Sequence, residues 1–110
     1  MVSWNGKTYR CPVEITIGIV GGKWKSLILW HLHEKTMRFM ELERIVSGVS
    51  QKMLTQQLNE IERDELLTKT VYAEVPPRVE YELTERGHSL FPVLEQMHGW
   101  AIEQLGVEET

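Results

Sequence analysis

The sequence predicts a mainly α-helical fold with one small β-hairpin, and three observations predict it. Apolar residues recur at three- and four-residue intervals over most of the chain. The period changes to two only between about Thr68 and Leu83, on either side of Pro76–Pro77. Gly21–Gly22 and Ser47–Gly48 punctuate the helical stretches.

The first helix begins near Pro12, a residue suited to a first helical turn, and runs through Val13, Ile15, Ile17, Ile19 and Val20 to Gly21–Gly22. Its β-branched content leaves a strand open as the alternative. Trp24 to Glu34 is apolar nearly all round, with Trp24, Leu27, Ile28, Leu29, Trp30 and Leu32, which suits a helix in the middle of a core. Phe39, Leu42, Ile45 and Val46 then mark a short amphipathic helix that Ser47–Gly48 ends. Ser50 reads as an N-cap, and the helix it opens runs to about Asp64 with Leu54, Leu58 and Ile61 on one inward stripe.

From Thr68, Val71, Ala73 and Val75 alternate with Thr70, Tyr72 and Glu74. After Pro76–Pro77, Val79, Tyr81 and Leu83 alternate with Glu80 and Glu82, giving a hairpin with a proline-stiffened tip. From about Thr84 a last helical stripe follows through Leu90, Leu94, Met97, Ala101 and Leu105, with Val93 and Trp100 beside it. Pro92 should kink or divide that helix. Helix, glycine-containing turn, helix and hairpin in that order make a winged helix-turn-helix, with further helices on either side. The chain reads as one domain, with the motif and its wing at about 37–84 and flanking helices at about 11–22 and 85–105.

Composition sets limits on the function. A chain of 110 residues supports a modest core, which oligomerisation through apolar terminal helices would extend. No stretch approaches the roughly 20 apolar residues of a membrane span. The N-terminus lacks a signal-peptide pattern, and a lone cysteine, Cys11, excludes an internal disulfide framework, so the cytoplasm is expected. The net charge of −4 argues against nucleic acid, but it is unevenly distributed. Residues 1–40 hold six Lys/Arg against two acids, residues 41–110 hold six against fourteen, and Met53 to Asn59 carries no acid. The potential where phosphate approaches matters more than the sum.

Several motifs in the same order resemble the HxlR-type winged helix-turn-helix regulators, bacterial relatives of the MarR group. They are Gly21-Gly22-Lys23-Trp24, Arg38-Phe39 with Glu41-Leu42, Gly48-Val49-Ser50 with Lys52 and Leu54, Pro76-Pro77-Arg78-Val79-Glu80-Tyr81, and Leu83-Thr84 with Gly87. The resemblance spans about Cys11 to Trp100. It implies a homodimer joined through its N- and C-terminal helices, operator binding by the recognition helix and wing, and in some members a sensing cysteine where Cys11-Pro12 stands. One departure is visible: the family usually has glycine after the recognition helix, where this chain has Glu65. Glu65 must therefore take a left-handed conformation or the helix must end differently.

With Leu54, Leu58 and Ile61 inward, Lys52, Gln56, Asn59 and Arg63 face away, and Thr55 lies on the flank. Lys52, Thr55 and Gln56 are the candidates for base edges or nearby phosphates, with glutamine suited to adenine and lysine to guanine or phosphate. Ser50 and Gln51 sit at the positive helix end. Arg78, expected in a poorly buried hairpin tip flanked by Pro76–Pro77, suits an A·T-rich minor groove, or else it pairs with Glu80 or another neighbour. Arg38 is a candidate phosphate contact, with a local salt bridge as the alternative.

Cys11 adjoins Arg10 at a helix start, which favours thiol reactivity, against a small buried packing residue. Any disulfide it forms is intersubunit or with a small thiol. His31 and His33 are spaced too closely to chelate like an i, i+4 pair, His88 and His98 are isolated, and no metal, cofactor or catalytic constellation is expected. Trp24, Trp30 and Trp100 read as core, with a ligand pocket at a dimer junction as the alternative. The expected function is a sequence-specific regulator that binds a pseudo-palindromic operator as a homodimer. Repression is the simplest mode, and a small molecule or oxidant the expected inducer. The alternatives are a protein-interaction module and a ligand-responsive regulator with no thiol switch.

Overall fold

In the computed structural model, which describes residues 1–109, the chain opens with a hairpin of β1 (Val2–Trp4) and β2 (Lys7–Tyr9), followed by α1 (Pro12–Val20) and α2 (Lys25–Glu34). A two-residue strand β3 (Met37–Arg38) leads into α3 (Phe39–Ile45) and α4 (Gln51–Arg63). The wing strands β4 (Leu67–Tyr72) and β5 (Arg78–Leu83) come next, then α5 (Glu85–Ser89) and α6 (Phe91–Leu105). The fold is thus mainly α, and its helix-turn-helix, α3 and α4, is followed directly by the wing.

The N-terminal hairpin was not expected. Its turn is Asn5-Gly6, both at positive φ (51° and 75°), a pair that favours the tight hairpin turn whose twist matches its strands. The strand β3 was also not expected. It pairs antiparallel with β5, Met37 opposite Tyr81 and Arg38 opposite Glu80, making a three-stranded sheet of order β3-β5-β4.

The core gathers on α2, where Ile28, Leu29 and Leu32 are buried. Leu27 on the same helix is 44% exposed, so α2 is central on one side only. Leu42 and Val46 of the α3 region pack inward while Ile45 stays largely exposed. Gly48, at φ +93°, then reverses the chain in a conformation that a side chain would strain.

In α4 the Ser50 hydroxyl accepts from the Met53 N–H at 3.1 Å, and Leu54, Leu58 and Ile61 are buried to 0%, 2% and 1% exposure. Each such side chain contributes about 1.5–3 kcal/mol of transfer free energy.

The wing departs from the simple alternation. Leu67, Tyr81 and Leu83 are buried at its base, but Val71 and Val75 are exposed and β4 ends at Tyr72. The hairpin extends beyond the core, so its outer apolar residues have nothing to cover them, and Pro76 and Pro77 offer no ladder N–H. At the other end Pro92 stands in the first turn of α6, so it divides the C-terminal segment into two helices. Of the expected stripe only Leu94 is buried; Met97, Trp100 and Leu105 are 50%, 60% and 62% exposed.

The end of α4 settles the Glu65 question. Glu65 takes the left-handed conformation at φ +62°, its N–H donates to the Glu62 carbonyl at 2.9 Å, and the Leu66 N–H donates to the Ile61 carbonyl at 3.1 Å. That is a Schellman cap with an acid where glycine is usual, closed by the buried Leu66–Ile61 pair. Thr84 and Arg86 reinforce it: the Thr84 hydroxyl donates to the Glu65 carbonyl at 2.7 Å, and Arg86 donates to the Asp64 carbonyl at 3.1 Å. Gly87 permits this closeness, since a Cβ there would strike the Leu66 carbonyl. Replacing Glu65 by glycine removes the left-handed penalty but frees the unfolded chain. Glu65→Gly should therefore raise stability by about 0.5–1 kcal/mol, read by chemical denaturation.

Candidate nucleic-acid interface

The outward face of α4 carries Gln51, Lys52, Thr55, Gln56 and Asn59, all exposed, while the opposite face holds the buried stripe. No acid stands in the first turn, so α4 carries no charge of its own against the positive end of its dipole. Among the described residues Lys52 forms no ion pair, unlike Lys25, Lys35, Arg10, Arg78 and Arg86. Ser50 is engaged as the N-cap. Thr55 donates its hydroxyl proton to the Gln51 carbonyl at 2.8 Å, leaving oxygen lone pairs and a methyl group outward. Gln56 and Asn59 present both donor and acceptor groups.

Two contacts that the sequence spacing did not suggest fix this helix. Lys25 of α2 meets Glu60 of α4 at 2.9 Å, with side chains only 14% and 31% exposed. The Lys25 ammonium hydrogen bond holds the Glu60 carboxyl below the usual glutamate range, against desolvation that would raise it. At the far end the Asn5 amide donates to the Asp64 carboxylate at 3.3 Å, tying the N-terminal hairpin to the end of the recognition helix. Residues so distant in sequence carry no periodic signal of their pairing.

The wing corrects one placement. Arg78 does not lie in the poorly buried tip: it is the first residue of β5, directly opposite Tyr72, and its side chain is 30% exposed. It pairs with Glu74 at 3.3 Å and Glu80 at 3.8 Å, and its guanidinium lies 4.0 Å from the centre of the Tyr72 ring. The tip itself is the turn containing Pro76 and Pro77. The strands are short enough that the ladder closes at Arg78, which draws the side chain back along the sheet. Arg38 is exposed, and its backbone N–H donates to Glu41 at 3.1 Å as α3 begins. That bond keeps the Glu41 carboxyl below its usual range. Arg38, Arg44, Glu74 and Arg78 line one groove between α3 and the wing.

The remaining candidates are scattered. Cys11 is exposed at the N-cap of α1, where its sulfur accepts from the Val13 N–H at 3.4 Å, and Arg10 turns to Glu14 at 3.1 Å. His33 and His88, far apart in sequence, bring their Nδ1 atoms to 3.0 Å, while His98 stacks on Trp30. Trp24 and Trp30 pack against the core, but Trp100, expected there as well, is exposed on α6 because nothing among the described residues covers that face.

A buried-stripe recognition helix that presents an acid-free polar face, followed by a β-wing, defines a helix-turn-helix transcriptional regulator of the winged type. The model of the HxlR-like helix-turn-helix family matches residues 19–109, and the chain belongs to that family. It is 49% identical over 90 residues to YdeP of Bacillus subtilis, named an HTH-type transcriptional regulator, covering 82% of this chain and 70% of that one. Among solved structures it resembles the redox regulator HypR in its reduced form, with a TM-score of 0.81 and 44% identity over 84% of this chain and 92% of that one. It likewise resembles reduced YodB of B. subtilis, with a TM-score of 0.76 and 35% identity, over 86% and 94% of the two chains.

The Lys25–Glu60 pair should show in the pH dependence of stability. A carboxyl depressed in the folded state contributes stability above its unfolded pKa, about 4.3, and loses it as pH falls through the folded value. The unsubstituted chain should exceed Glu60→Gln by about 1 kcal/mol near neutrality, and that difference should shrink as the pH drops below 4.3. Denaturant titrations of both proteins at a series of acidic pH values measure it.

Proposed function

We propose that the protein is a cytoplasmic, homodimeric repressor that binds a pseudo-palindromic operator and responds to oxidants or electrophiles through Cys11. The observation that carries the DNA reading is the outward face of α4. Lys52, Thr55, Gln56 and Asn59 are exposed on a helix whose rotation the buried stripe fixes, and the one acid that meets this set is Glu60, which Gln56 reaches one turn further on. In this reading Lys52, Thr55 and Gln56 reach base edges or adjacent phosphates, with Asn59 further along the groove. Ser50 and Gln51 set the positive helix end on the backbone. Arg38 meets phosphate and Arg78 the minor groove. Two recognition helices enter major grooves about 34 Å apart, and occlusion of a promoter gives repression.

Dimerisation is supported by the apolar residues exposed on the terminal helices: Val13 and Ile17 of α1, and Val93, Met97, Trp100 and Leu105 of α6. Exposed large apolar residues gathered on terminal helices are the kind of surface that marks an interface. Sensing is supported by the exposure of Cys11 and by its likeness to HypR, whose structures carry the names of reduced and oxidised forms. With one thiol per chain, oxidation joins two subunits or adds a small thiol.

Lys52→Ala with Gln56→Ala should weaken binding to a selected operator at least about 30-fold, the loss of two base contacts, while sedimentation still reports a dimer. Unchanged binding would sink the assignment of the reading face. Diamide should lower operator affinity of the unsubstituted chain about tenfold or more, a change of ~1.4 kcal/mol, and leave Cys11→Ser unaffected. An equal response in both proteins would remove Cys11 from the switch.

A further inference from the structure

The surroundings of Arg78 are not those of a residue waiting freely for DNA. Its Nη2 lies 3.3 Å from Glu74 and its Nη1 3.8 Å from Glu80, while the Tyr72 ring covers one face of the guanidinium. Two carboxylates meet this one cation, while Arg38 stands directly opposite Glu80 and Arg44 lines the same groove. Held between Glu74 and Glu80, the Arg78 guanidinium attracts phosphate less than a free arginine would.

The same geometry leaves both ionic contacts loose, with the Tyr72 ring as the closer support. Strong charge-assisted contacts fall at about 2.7–2.9 Å, and both of these are longer; the one to Glu80 is beyond hydrogen-bond range. The Arg78 Nε is buried with no hydrogen-bond partner among the described residues. A donor left in that state favours any arrangement that gives it an acceptor.

We infer that Glu74 and Glu80 form an acid latch on Arg78, making engagement of the wing conditional on a minor groove narrow enough to outcompete two carboxylates. The latch rests on the DNA-binding reading above. A·T-rich tracts narrow the groove and deepen its negative potential, whereas G·C-rich flanks do not. The acids therefore act as specificity determinants: they hold the arginine back from ordinary phosphate and release it where the potential is focused.

The test uses the full chain and a labelled duplex that it selects from a random-sequence library, remade with A·T-only or G·C-only flanks. Glu74→Gln with Glu80→Gln should tighten binding to the G·C-flanked duplex about threefold to tenfold, and to the A·T-flanked duplex less, so that the flank preference shrinks. In an Arg78→Ala background the same two substitutions should change either affinity by less than about twofold. An Arg78→Gln background, which keeps side-chain length, guards against a collapsed wing. A gain that persists without Arg78 is a general charge effect and overturns the latch. No gain at all makes Arg78 a fixed strut and also overturns it. If the unsubstituted chain selects no duplex, the DNA-binding reading fails and the latch with it, whereas selection followed by either adverse result leaves that reading standing.

Discussion

The burial of Leu54, Leu58 and Ile61 is the constraint on which the rest of the structure turns. These side chains lock the rotation of α4 against the core formed by α2, and so decide which residues are left outside. A rotation of one residue, about 100°, would take an apolar side chain to water and a polar one into the core. The outward face of α4 is therefore what remains once packing is satisfied, and its polar chemistry can vary without disturbing the fold. The Lys25–Glu60 pair and the Schellman cap at Glu65 act on the same helix, fixing its position where the leucine stripe fixes its rotation.

Much of this was legible from local pattern. The stripe, the Ser50 cap, the break at Ser47–Gly48 and the helix boundary at Pro92 all depend on neighbours within one or two turns, and periodicity and capping chemistry report such neighbours directly. The N-terminal hairpin was legible too, through Asn5-Gly6, but strands this short are easily passed over. What could not be read were contacts between distant segments. The β3 pairing with β5, the meeting of His33 with His88, and the Asn5–Asp64 hydrogen bond each join residues that only the tertiary fold brings together. The position of Arg78 shows a subtler limit. Flanking prolines marked a tip correctly, but where the ladder closed set the side chain's direction.

The exposed apolar residues are arranged with a similar economy. The interior uses one face each of α2, α3 and α4 together with the base of the wing, and α6 joins it through buried Leu94 and through Phe91 and His98, which pack on Trp30 of α2. A helix of 15 residues spans about 22 Å, and these contacts use only one side of it. Its apolar side chains and those of α1 form surface that a small chain cannot cover by itself.

At the start of α1 the Cys11 sulfur is the acceptor for the Val13 N–H. The atom open to oxidation is therefore also the one that satisfies a free backbone donor of the helix. Were that sulfur to form a disulfide or carry an adduct, its capping contact with the opening turn of α1 would be the first to feel the change.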